Sequence, residues 1–428
     1  MLFNYIIGTS LTNDEQLRKV SKKQLLGVGI IANILLLGYF KYSDFFIANM
    51  NFVFDSQIGL LHLALPLAIS FFTFQQIAYL VDSYRGETKE YDFLNYGVFV
   101  TFFPQLIAGP IVHHKEMMPQ FAQAKKLLIN YRNITLGLFI FSMGIFKKVV
   151  IADTFAVWAT QGFDHAEVLT FIEAWITSFS YTFQLYFDFS GYTDMAIGVA
   201  LLFNIVLPAN FNSPYKATSI QDFWRRWHIT LSRFLRDYIY IPLGGNRVGN
   251  FRNYSNLMTT FIIGGIWHGA GWTFIFWGFL HGFALVINRI WNQLGFKMNA
   301  LLGWFITFNF VNIAWVFFRA QEWDDAIKVL KGMVGANGIV LPTALSSSLG
   351  FLSNYGIEFG KFMENVQGNI WTLTWTLAGF IIVLFFKNSM EKMNDFKLTN
   401  STAFFTAVIF IYTIFSMYKV SEFLYFNF

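Results

Sequence analysis

Apolar runs of membrane-spanning or near-spanning length recur along the whole chain, separated by short polar stretches. A helix of ~20 apolar residues crosses a bilayer, and shorter runs are predicted to be half-spans or re-entrant pieces. The pattern therefore predicts an all-α, polytopic integral membrane protein with about nine to eleven membrane segments. The runs are Leu25–Phe40, Ile58–Leu80, Phe93–Val112, Ile134–Phe146, Val149–Ala159, Val168–Phe187, Gly191–Leu207, Leu257–Leu280, Ala300–Phe318, Ile370–Phe386 and Ala403–Tyr418.

One of these runs, Phe93–Val112, contains Pro104 and Pro110. Proline interrupts a helix because it lacks an N–H and clashes with the preceding turn. Irregular backbone at membrane depth is tolerated only inside protein or beside a water-filled cavity. This run is therefore predicted to be broken and enclosed by other segments.

Composition supports the membrane assignment. Hydrophobic residues make up 55% of the 428 residues and charged residues only 13%, against about 25% charged in soluble domains. The chain has no cysteine, which excludes disulfides, thiolate chemistry and cysteine metal sites. Its first residues lack the basic region and cleavage site of a signal peptide. No linker or repeat divides the chain, so residues 1–428 are predicted to form a single domain.

Residues 213–256 form the longest polar stretch between apolar runs. Its basic and acidic residues give a net charge of +5, equal to that of the whole chain. Basic loops of membrane proteins face the cytoplasm, so this segment is predicted to be a cytoplasmic loop. The basic residues are Lys216, Arg225, Arg226, Arg233, Arg236, Arg247 and Arg252, and the acidic ones are Asp222 and Asp237.

Within this loop, SIQDFWRRWHITLSRFLRDYIYIPLGG is predicted to form one amphipathic helix. Ser219 and Asp222 have capping-box spacing at its start, with Asp in place of Glu, and Pro242 with the following glycines ends it. Arg225, Arg226, Arg233 and Arg236 fall opposite the apolar stripe. That stripe consists of Ile220, Phe223, Trp224, Trp227, Leu231, Phe234, Leu235 and Tyr238.

Two interpretations of this helix stay open. An interfacial helix would place its aromatic side chains among lipid headgroups and its arginines near acidic lipid. A lid over an active site would use the same arginines to attract a phosphate-bearing donor such as coenzyme A. The pattern alone favours the interfacial helix. His228, at the edge of the apolar stripe, is typical of a packing or hydrogen-bonding residue, unless it points into a cavity.

The stretch GGIWHGAGWTF places His268 at the middle of the run Leu257–Leu280. Ionisable residues at such depth face the bundle interior or a water-filled cavity. One interpretation is a neutral imidazole that is hydrogen-bonded to a neighbouring helix, and the other is a buried general base. The second is favoured, because an ionisable residue within the membrane is by default a candidate functional residue. Close approach to the backbone is permitted by the neighbouring Gly264, Gly265, Gly269 and Gly271.

Other polar residues at depth give weaker signals. Gln184, Asp188 and Asp194 lie in YTFQLYFDFSGYTDMAIG, where the two carboxylates do not share a helical face. Pairing of each aspartate with an arginine or a histidine is the favoured role. The adjacent His113 and His114 are a weak metal signal. The remaining histidines are interpreted as ordinary interfacial or loop residues: His62, His165 and His281.

Five motifs together resemble the membrane-bound O-acyltransferase family, and within it the bacterial branch that serves alginate and peptidoglycan O-acetylation. The resemblance runs from about residue 60 to the C-terminus, where EFLYFNF also fits. The motifs are QLIAGPIVHHKEMMPQF, YFDFSGYTDMAIG, NFNSPYKATSIQDFWRRWHITLSRFLRDYIYIPLGGNR, GGIWHGAGWTFIFWGFLHG and AWVFFRA.

The resemblance implies a catalytic pair, His268 in a membrane-embedded tunnel and His228 on the cytoplasmic helix. It implies that an acyl group passes from a cytoplasmic thioester, such as acetyl-coenzyme A, across the inner membrane to a periplasmic serine-esterase-like protein that acetylates sugar hydroxyls. The loop arginines Arg225, Arg226, Arg233 and Arg236 then become candidates for donor binding. Gln184, Asp188, Asp194 and Trp267 become candidate tunnel or structural polar residues. No metal, bound cofactor or nucleic acid is expected.

Chains of this branch usually begin with further hydrophobic segments before the region that matches LFNYIIGTSL, so either the start of this sequence is placed late or this variant is short at its N-terminus. The difference is expected to be peripheral to His268. A secondary transporter would also use buried histidines and broken helices, but the chain lacks paired, similarly interrupted segments in its two halves. Transfer of D-alanine to teichoic acid is the alternative within the family.

Overall fold

The computed structural model describes residues 1–12, 20–88, 92–107, 109–123, 128–417 and 424. The described part is predominantly helical with almost no strand, which confirms the predicted fold class. In its N-terminal half the helices are α1 (Leu2–Thr12), α2 (Lys22–Leu37), α3 (Ser43–Phe54), α4 (Ile69–Tyr84), α5 (Phe93–Thr101), α6 (Phe103–Leu106), α7 (His114–Phe121), α8 (Tyr131–Phe146), α9 (Asp153–Thr160) and α10 (Phe171–Leu202). Of the C-terminal EFLYFNF, only Leu424 lies within the described residues.

The C-terminal half adds further helices and one small sheet. The two strands β1 (Ile339–Pro342) and β2 (Ile357–Gly360) pair in parallel, with Ile339 opposite Ile357. The helices are α11 (Ile220–Trp224), α12 (Ile229–Leu235), α13 (Asn250–His268), α14 (Trp272–Gln293), α15 (Ala300–Arg319), α16 (Trp323–Met333), α17 (Ser346–Leu349), α18 (Ile370–Phe385), α19 (Ser389–Asn394) and α20 (Asn400–Ser416).

Four described helical segments are long and apolar enough to cross a membrane, namely Lys22–Phe54, Tyr131–His165, Trp272–Gln293 and Ala300–Arg319. The apolar helices α18 and α20 are shorter. Two of the long segments join neighbouring α-helices through π-helical turns, at Gly38–Tyr42 between α2 and α3 and at Lys147–Ala152 between α8 and α9. The predicted runs Ile134–Phe146 and Val149–Ala159 are therefore parts of one segment.

Helix α10 lies at the centre of the fold. It joins most of the two predicted runs Val168–Phe187 and Gly191–Leu207 into one helix, and most of its 32 residues are buried. Two glycine pairs let it approach α8 closely: a Cβ on Gly137 would lie 2.6 Å from the Gly198 carbonyl oxygen, and one on Gly144 would lie 2.6 Å from the Gly191 carbonyl oxygen. Small residues at helix contacts permit such backbone approach in membranes.

The broken run was predicted correctly. The first part of Phe93–Val112 forms α5, which ends before Phe102, and α6 follows with Pro104 in its first turn. Proline is tolerated there because the first helical N–H groups have no partner within the helix.

The prediction of a single amphipathic helix within residues 213–256 is wrong. The segment forms the two short helices α11 and α12, and a π-helical turn, Arg236–Tyr240, follows α12. His228 separates the two helices with a left-handed backbone, at φ 41°. Residue spacing alone did not reveal this break, because the apolar periodicity runs through it. The cap at Ser219 is present, since its side chain accepts a hydrogen bond from the Asp222 N–H at 3.1 Å.

Candidate active site

His268 lies at the C-terminal end of α13, where a short turn leads into α14. The prediction that it lies in the middle of one continuous span is therefore wrong, since Leu257–Leu280 is a helical hairpin. Glycines join the two arms: a Cβ on Gly265 would lie 2.4 Å from the Phe274 carbonyl oxygen, and one on Gly278 would lie 2.4 Å from the Phe261 carbonyl oxygen. The hairpin thus presents His268 at its tip.

The His268 ring is enclosed by aromatic side chains and is only 6% exposed. Its centroid lies 4.9 Å from the Trp267 ring, 5.1 Å from the Trp277 ring and 5.0 Å from the Phe318 ring, all three edge to face. The Nδ1 atom is buried and makes no hydrogen bond to any described residue. The interpretation of His268 as an imidazole that is hydrogen-bonded to a neighbouring helix finds no support at this nitrogen.

His228 is held in one tautomer by Asn210. Its Nδ1 lies 3.1 Å from Asn210 Oδ1, and that oxygen also accepts hydrogen bonds from the N–H and the hydroxyl of Thr230. An oxygen accepts, so Nδ1 of His228 carries the proton and donates. In the neutral ring the lone pair is then on Nε2, which is buried and makes no hydrogen bond to the described residues.

Both candidate catalytic histidines contact Trp267. The His228 ring centroid lies 6.5 Å from the Trp267 ring, and His228 also packs edge to face on Phe189 at 4.8 Å. The Trp267 indole N–H donates to the Ser70 carbonyl oxygen at 3.3 Å. The structure therefore brings the two predicted catalytic residues, His228 and His268, to the same buried aromatic cluster.

Two small, partly open pockets adjoin the hydrogen-bond network of His228. One has Asn210 in its wall together with Lys147, Asp194, Asn388 and Ser389. The other has a mainly apolar lining that includes Gln75, Gln105 and Ile111, and the Ile111 N–H donates to the Thr230 hydroxyl at 3.0 Å. A pocket therefore lies on each of two sides of the network that orients His228.

The interpretation of His281 as an ordinary interfacial or loop residue is wrong. His281 is completely buried on α14, and the Trp224 indole N–H donates to its Nδ1 at 3.1 Å. Its ring lies 4.8 Å from Trp277, which also contacts His268. Sequence reasoning missed this residue, although residues three and four positions apart share a helix face, which places His281 beside Gly278 and Trp277. His62 and His165 are exposed, as predicted.

The aspartates of α10 pair with lysines, not with the predicted arginine or histidine. Lys148 Nζ lies 2.8 Å from Asp188 Oδ1, and Lys147 Nζ lies 2.6 Å from Asp194 Oδ2. The sequence did not reveal Lys147 and Lys148 as partners, because both lie between the predicted runs Ile134–Phe146 and Val149–Ala159. Gln184 is buried on the same helix, and its Oε1 makes no hydrogen bond to a described residue.

Three of the four candidate donor-binding arginines pair with carboxylates of this chain. Arg226 pairs with Asp222 at 2.8 Å, and Arg236 pairs with Asp237 at 2.7 Å. Arg233 binds Glu116 of α7 through two bonds of 2.6 and 2.9 Å. Arg225 is exposed, and within the described ranges no carboxylate lies within ion-pair distance of it. Arg225 is therefore the arginine of this set with most access to a ligand.

His113 and His114 do not act together. The Tyr238 hydroxyl lies 2.9 Å from His113 Nδ1 and donates to Asp82 Oδ1 at 2.7 Å, whereas the His114 ring packs on Tyr79 and Phe99. In the part of the chain that the structure describes, no group of three or more histidines and carboxylates is arranged to hold a metal ion.

Comparison with known proteins adds to this geometry. The model of the family described as MBOAT, membrane-bound O-acyltransferase, matches residues 82–321. A peptidoglycan O-acetyltransferase of Helicobacter pylori is 50% identical over 461 aligned residues, which cover 100% of this chain and 86% of that protein. A probable alginate O-acetylase of Pseudomonas aeruginosa is 42% identical over 347 residues, which cover 78% of this chain and 64% of that protein.

More distant similarity extends to proteins that are named for a different activity. A teichoic acid D-alanyltransferase of Bacillus subtilis is 27% identical over 274 residues, which cover 60% of this chain and 69% of that protein. The matched residues 82–321 contain His228, His268 and His281 together with the segment 213–256.

Proposed function

Because this chain belongs to the membrane-bound O-acyltransferase family, we propose that it takes an acetyl group from a cytoplasmic thioester and passes it to a periplasmic partner that O-acetylates a cell-envelope polysaccharide. The chain is an acyltransferase and a multi-pass membrane protein. The transporter alternative finds no support in this family. Identity to the peptidoglycan and alginate proteins, at 50% and 42%, exceeds the 27% to the D-alanyltransferase and favours acetyl over D-alanyl transfer.

The observation that carries the proposal is the placement of His268 at the tip of the α13–α14 hairpin, beside the ring cluster that also holds His228. We assign His268 as the general base. Its buried ring is shielded from bulk water that would hydrolyse a thioester, and an imidazole suits proton transfer near neutral pH. His228, oriented by Asn210, presents Nε2 as a second group that can bind or relay a proton.

The proposed step conserves atoms and charge. The His268 imidazole takes the proton of an acceptor hydroxyl while the oxygen of that hydroxyl attacks the thioester carbonyl carbon. The new C–O bond forms, the C–S bond breaks, and the leaving thiolate takes the proton back from the imidazolium. The thioester is itself activated, so the acyl group moves without a cofactor bound to the chain.

The donor is proposed to approach from the side of residues 213–256, the predicted cytoplasmic loop. The net charge of +5 on this segment favours a phosphate-bearing molecule such as acetyl-coenzyme A. The exposed Arg225 is the residue proposed to contact it first, while Arg226, Arg233 and Arg236 hold the segment through their ion pairs.

The wider setting is proposed from the same similarities. The chain is a single domain, 1–428, in the bacterial inner membrane. Its periplasmic partner is a serine-esterase-like transferase, and the tunnel that would join the two faces stays a prediction. Gln184 and Trp267 are proposed to line it, whereas Asp188 and Asp194 are proposed to serve the fold through their lysine partners.

The test is His268→Gln in cells that carry this chain as their source of the activity. Glutamine keeps a side chain of similar size with hydrogen-bonding groups but cannot act as a base. We expect normal accumulation in the membrane and a fall in mild-base-released acetate on extracted glycan of ~10²- to 10⁴-fold. His165→Gln makes the same change at an exposed histidine and is expected to leave acetate unchanged.

Two results would overturn the proposal. Normal glycan acetate in His268→Gln cells would remove the catalytic assignment. A fall in ester-linked D-alanine at unchanged acetate would identify the chain as an aminoacyl transferase instead.

A further inference from the structure

Lys41 lies inside the apolar helical segment Lys22–Phe54, within its π-helical turn. A lysine in a membrane segment is costly and marks function by default, unless its long side chain extends to the headgroups. Here the ammonium group is directed into the protein, because its hydrogen bonds to the described residues go to Ser70, Trp267 and His268. It is also remote in sequence from every candidate catalytic residue.

The three N–H bonds of the Lys41 ammonium group have three acceptors. Nζ donates to the Trp267 carbonyl oxygen at 2.7 Å, to the His268 carbonyl oxygen at 2.9 Å and to the Ser70 hydroxyl at 3.3 Å. An ammonium group has three donors and no acceptor, so its hydrogen bonding is complete. Within the described residues no carboxylate pairs with Lys41, and carbonyl oxygens at the end of a helix surround its charge instead.

Tyr42 completes this cap on α13. Its hydroxyl donates to the Ile266 carbonyl oxygen, while the Gly269 N–H donates to the Gly265 carbonyl oxygen at 3.4 Å. The last four carbonyls of a helix have no partner within it. In α13 these are the carbonyls of 265–268, and three of the four are bound by Lys41 and Tyr42.

The same contacts fix the indole next to His268. The Lys41 Nζ lies 6.0 Å from the centre of the Trp267 ring, within cation–π range. Ser70 accepts from Lys41 through its hydroxyl and from the Trp267 indole N–H through its carbonyl oxygen. The ring of Phe74, one turn further along α4, stacks on the Trp267 ring, with the two ring centroids 4.8 Å apart.

We propose that Lys41 is a positioning residue for His268: together with Tyr42 it caps the C-terminus of α13 and fixes the orientation of the base. Lys41 precedes residues 82–321, which match the family model. A cation also suits the partial negative charge at a helix C-terminus. The inference rests on the proposed function, since it acts through His268.

The physical effect is geometric. A base that is misplaced by ~1 Å can lose about 10²-fold in rate. Without the ammonium group, the Trp267 and His268 carbonyls lose their donors and the last turn of α13 loses its attachment to the first long apolar segment. The imidazole remains present, but its position is no longer fixed.

The experiment compares full-length variants in cells by the initial rate of acetate incorporation into glycan, and in detergent by the midpoint temperature of unfolding. Lys41→Met keeps the stem length and removes the donors. We expect a rate lower by about 10²-fold at normal accumulation, together with a lower midpoint, because two part-buried carbonyls lose their donors. Lys41→Arg keeps the charge and the donors and is expected to restore at least a tenth of the wild-type rate, ~10-fold above the rate of Lys41→Met. Lys23→Met makes the same change at an exposed lysine of α2 and serves as the control.

Tyr42→Phe removes one cap hydrogen bond without touching the charge, so it tests the proposal even if Lys41→Met fails to accumulate. It is expected to lower the rate several-fold with a smaller change in the midpoint than Lys41→Met, since one hydrogen bond is lost in place of three. A wild-type rate in Lys41→Met or Tyr42→Phe, a loss that Lys41→Arg does not restore, or a loss that disappears when the rate is divided by the amount of folded protein overturns the inference. Wild-type acetate in His268→Gln contradicts the proposed function itself, whereas background acetate there with a wild-type rate in Lys41→Met contradicts only the role of Lys41.

Discussion

Gly265 and Phe274 approach each other so closely across the α13–α14 hairpin that a Cβ on Gly265 would lie 2.4 Å from the Phe274 carbonyl oxygen. No side chain is accommodated there, because the obstacle is backbone and not the end of a flexible side chain. The hairpin therefore depends on glycine three residues before His268, and its geometry sets where the imidazole lies.

Gly265→Ala is expected to separate the hairpin arms, lower the stability by ~1–3 kcal/mol and reduce glycan acetate. The measurements are the unfolding midpoint in detergent and the released acetate. Gly271→Ala is the matched control in the same hairpin, because its nearest neighbour would be a Phe274 side-chain carbon at 3.5 Å, an ordinary contact. Equal effects of the two substitutions would contradict this account.

The hydrogen bond from the Trp224 indole to His281 is expected to couple the two residues energetically. His281→Phe leaves a buried N–H without an acceptor, at a cost of ~1–3 kcal/mol. In the double variant His281→Phe with Trp224→Phe, both polar groups are gone, so the loss should be smaller than the sum of the single losses by ~0.5–3 kcal/mol. Unfolding midpoints of the four proteins measure this, and simple additivity would show that the bond contributes nothing.

Lys148 pairs with two carboxylates, Asp153 at 2.7 Å and Asp188 at 2.8 Å. Lys148→Met is expected to destabilise by ~3–5 kcal/mol, because both carboxylates lose their counter-charge. Asp188→Asn should cost less, since Lys148 keeps Asp153. Thermal unfolding in detergent measures which of the two variants is less stable. As a control, Lys387→Met removes an exposed ion pair and should change the unfolding midpoint little. The reverse order would mean that Asp188, not Lys148, is the essential member.

Arg225 and Arg233 differ in what they contact, so the same neutralisation should have different effects. Arg225→Gln is expected to raise KM for acetyl-coenzyme A about fivefold, for the ~1 kcal/mol of an exposed charge pair, at unchanged stability. Arg233→Gln frees Glu116 from its bidentate bond and should lower the unfolding midpoint instead. Neutral detergent removes competition from acidic lipid. Equal KM values for both variants would leave Arg225 without a role in donor binding.

Much of this architecture follows from the residue pattern. The apolar runs predict the helical membrane fold, and Pro104 with Pro110 predicts the break after α5. The motif around His268 also predicts a candidate site at what the structure shows to be a hairpin tip, although the sequence places the ring at mid-span. That error arises because glycines inside an apolar run do not interrupt hydropathy, and only the packing of α13 on α14 reveals the turn.

The contacts between distant segments could not be predicted from spacing. His281 looked like a loop residue because its partner, Trp224, lies 57 positions away. Lys41 gave no signal of its link to His268, 227 positions further along the chain. The left-handed backbone at His228 also escaped prediction, because histidine adopts that conformation only where its surroundings impose it.

The buried lysines after α8 constrain how the chain is made. Lys147 lies 47 residues before its partner Asp194, so during synthesis both ammonium groups emerge before the carboxylates of α10 exist. The Lys147 charge would cost ~2.5–3.5 kcal/mol in lipid until Asp194 is present, whereas Lys148 already has Asp153 as a partner five residues further along the chain. We therefore expect α8 to wait at the translocon and to enter the bilayer together with α10 as one hairpin, so that biogenesis proceeds by pairs of helices and not by single spans.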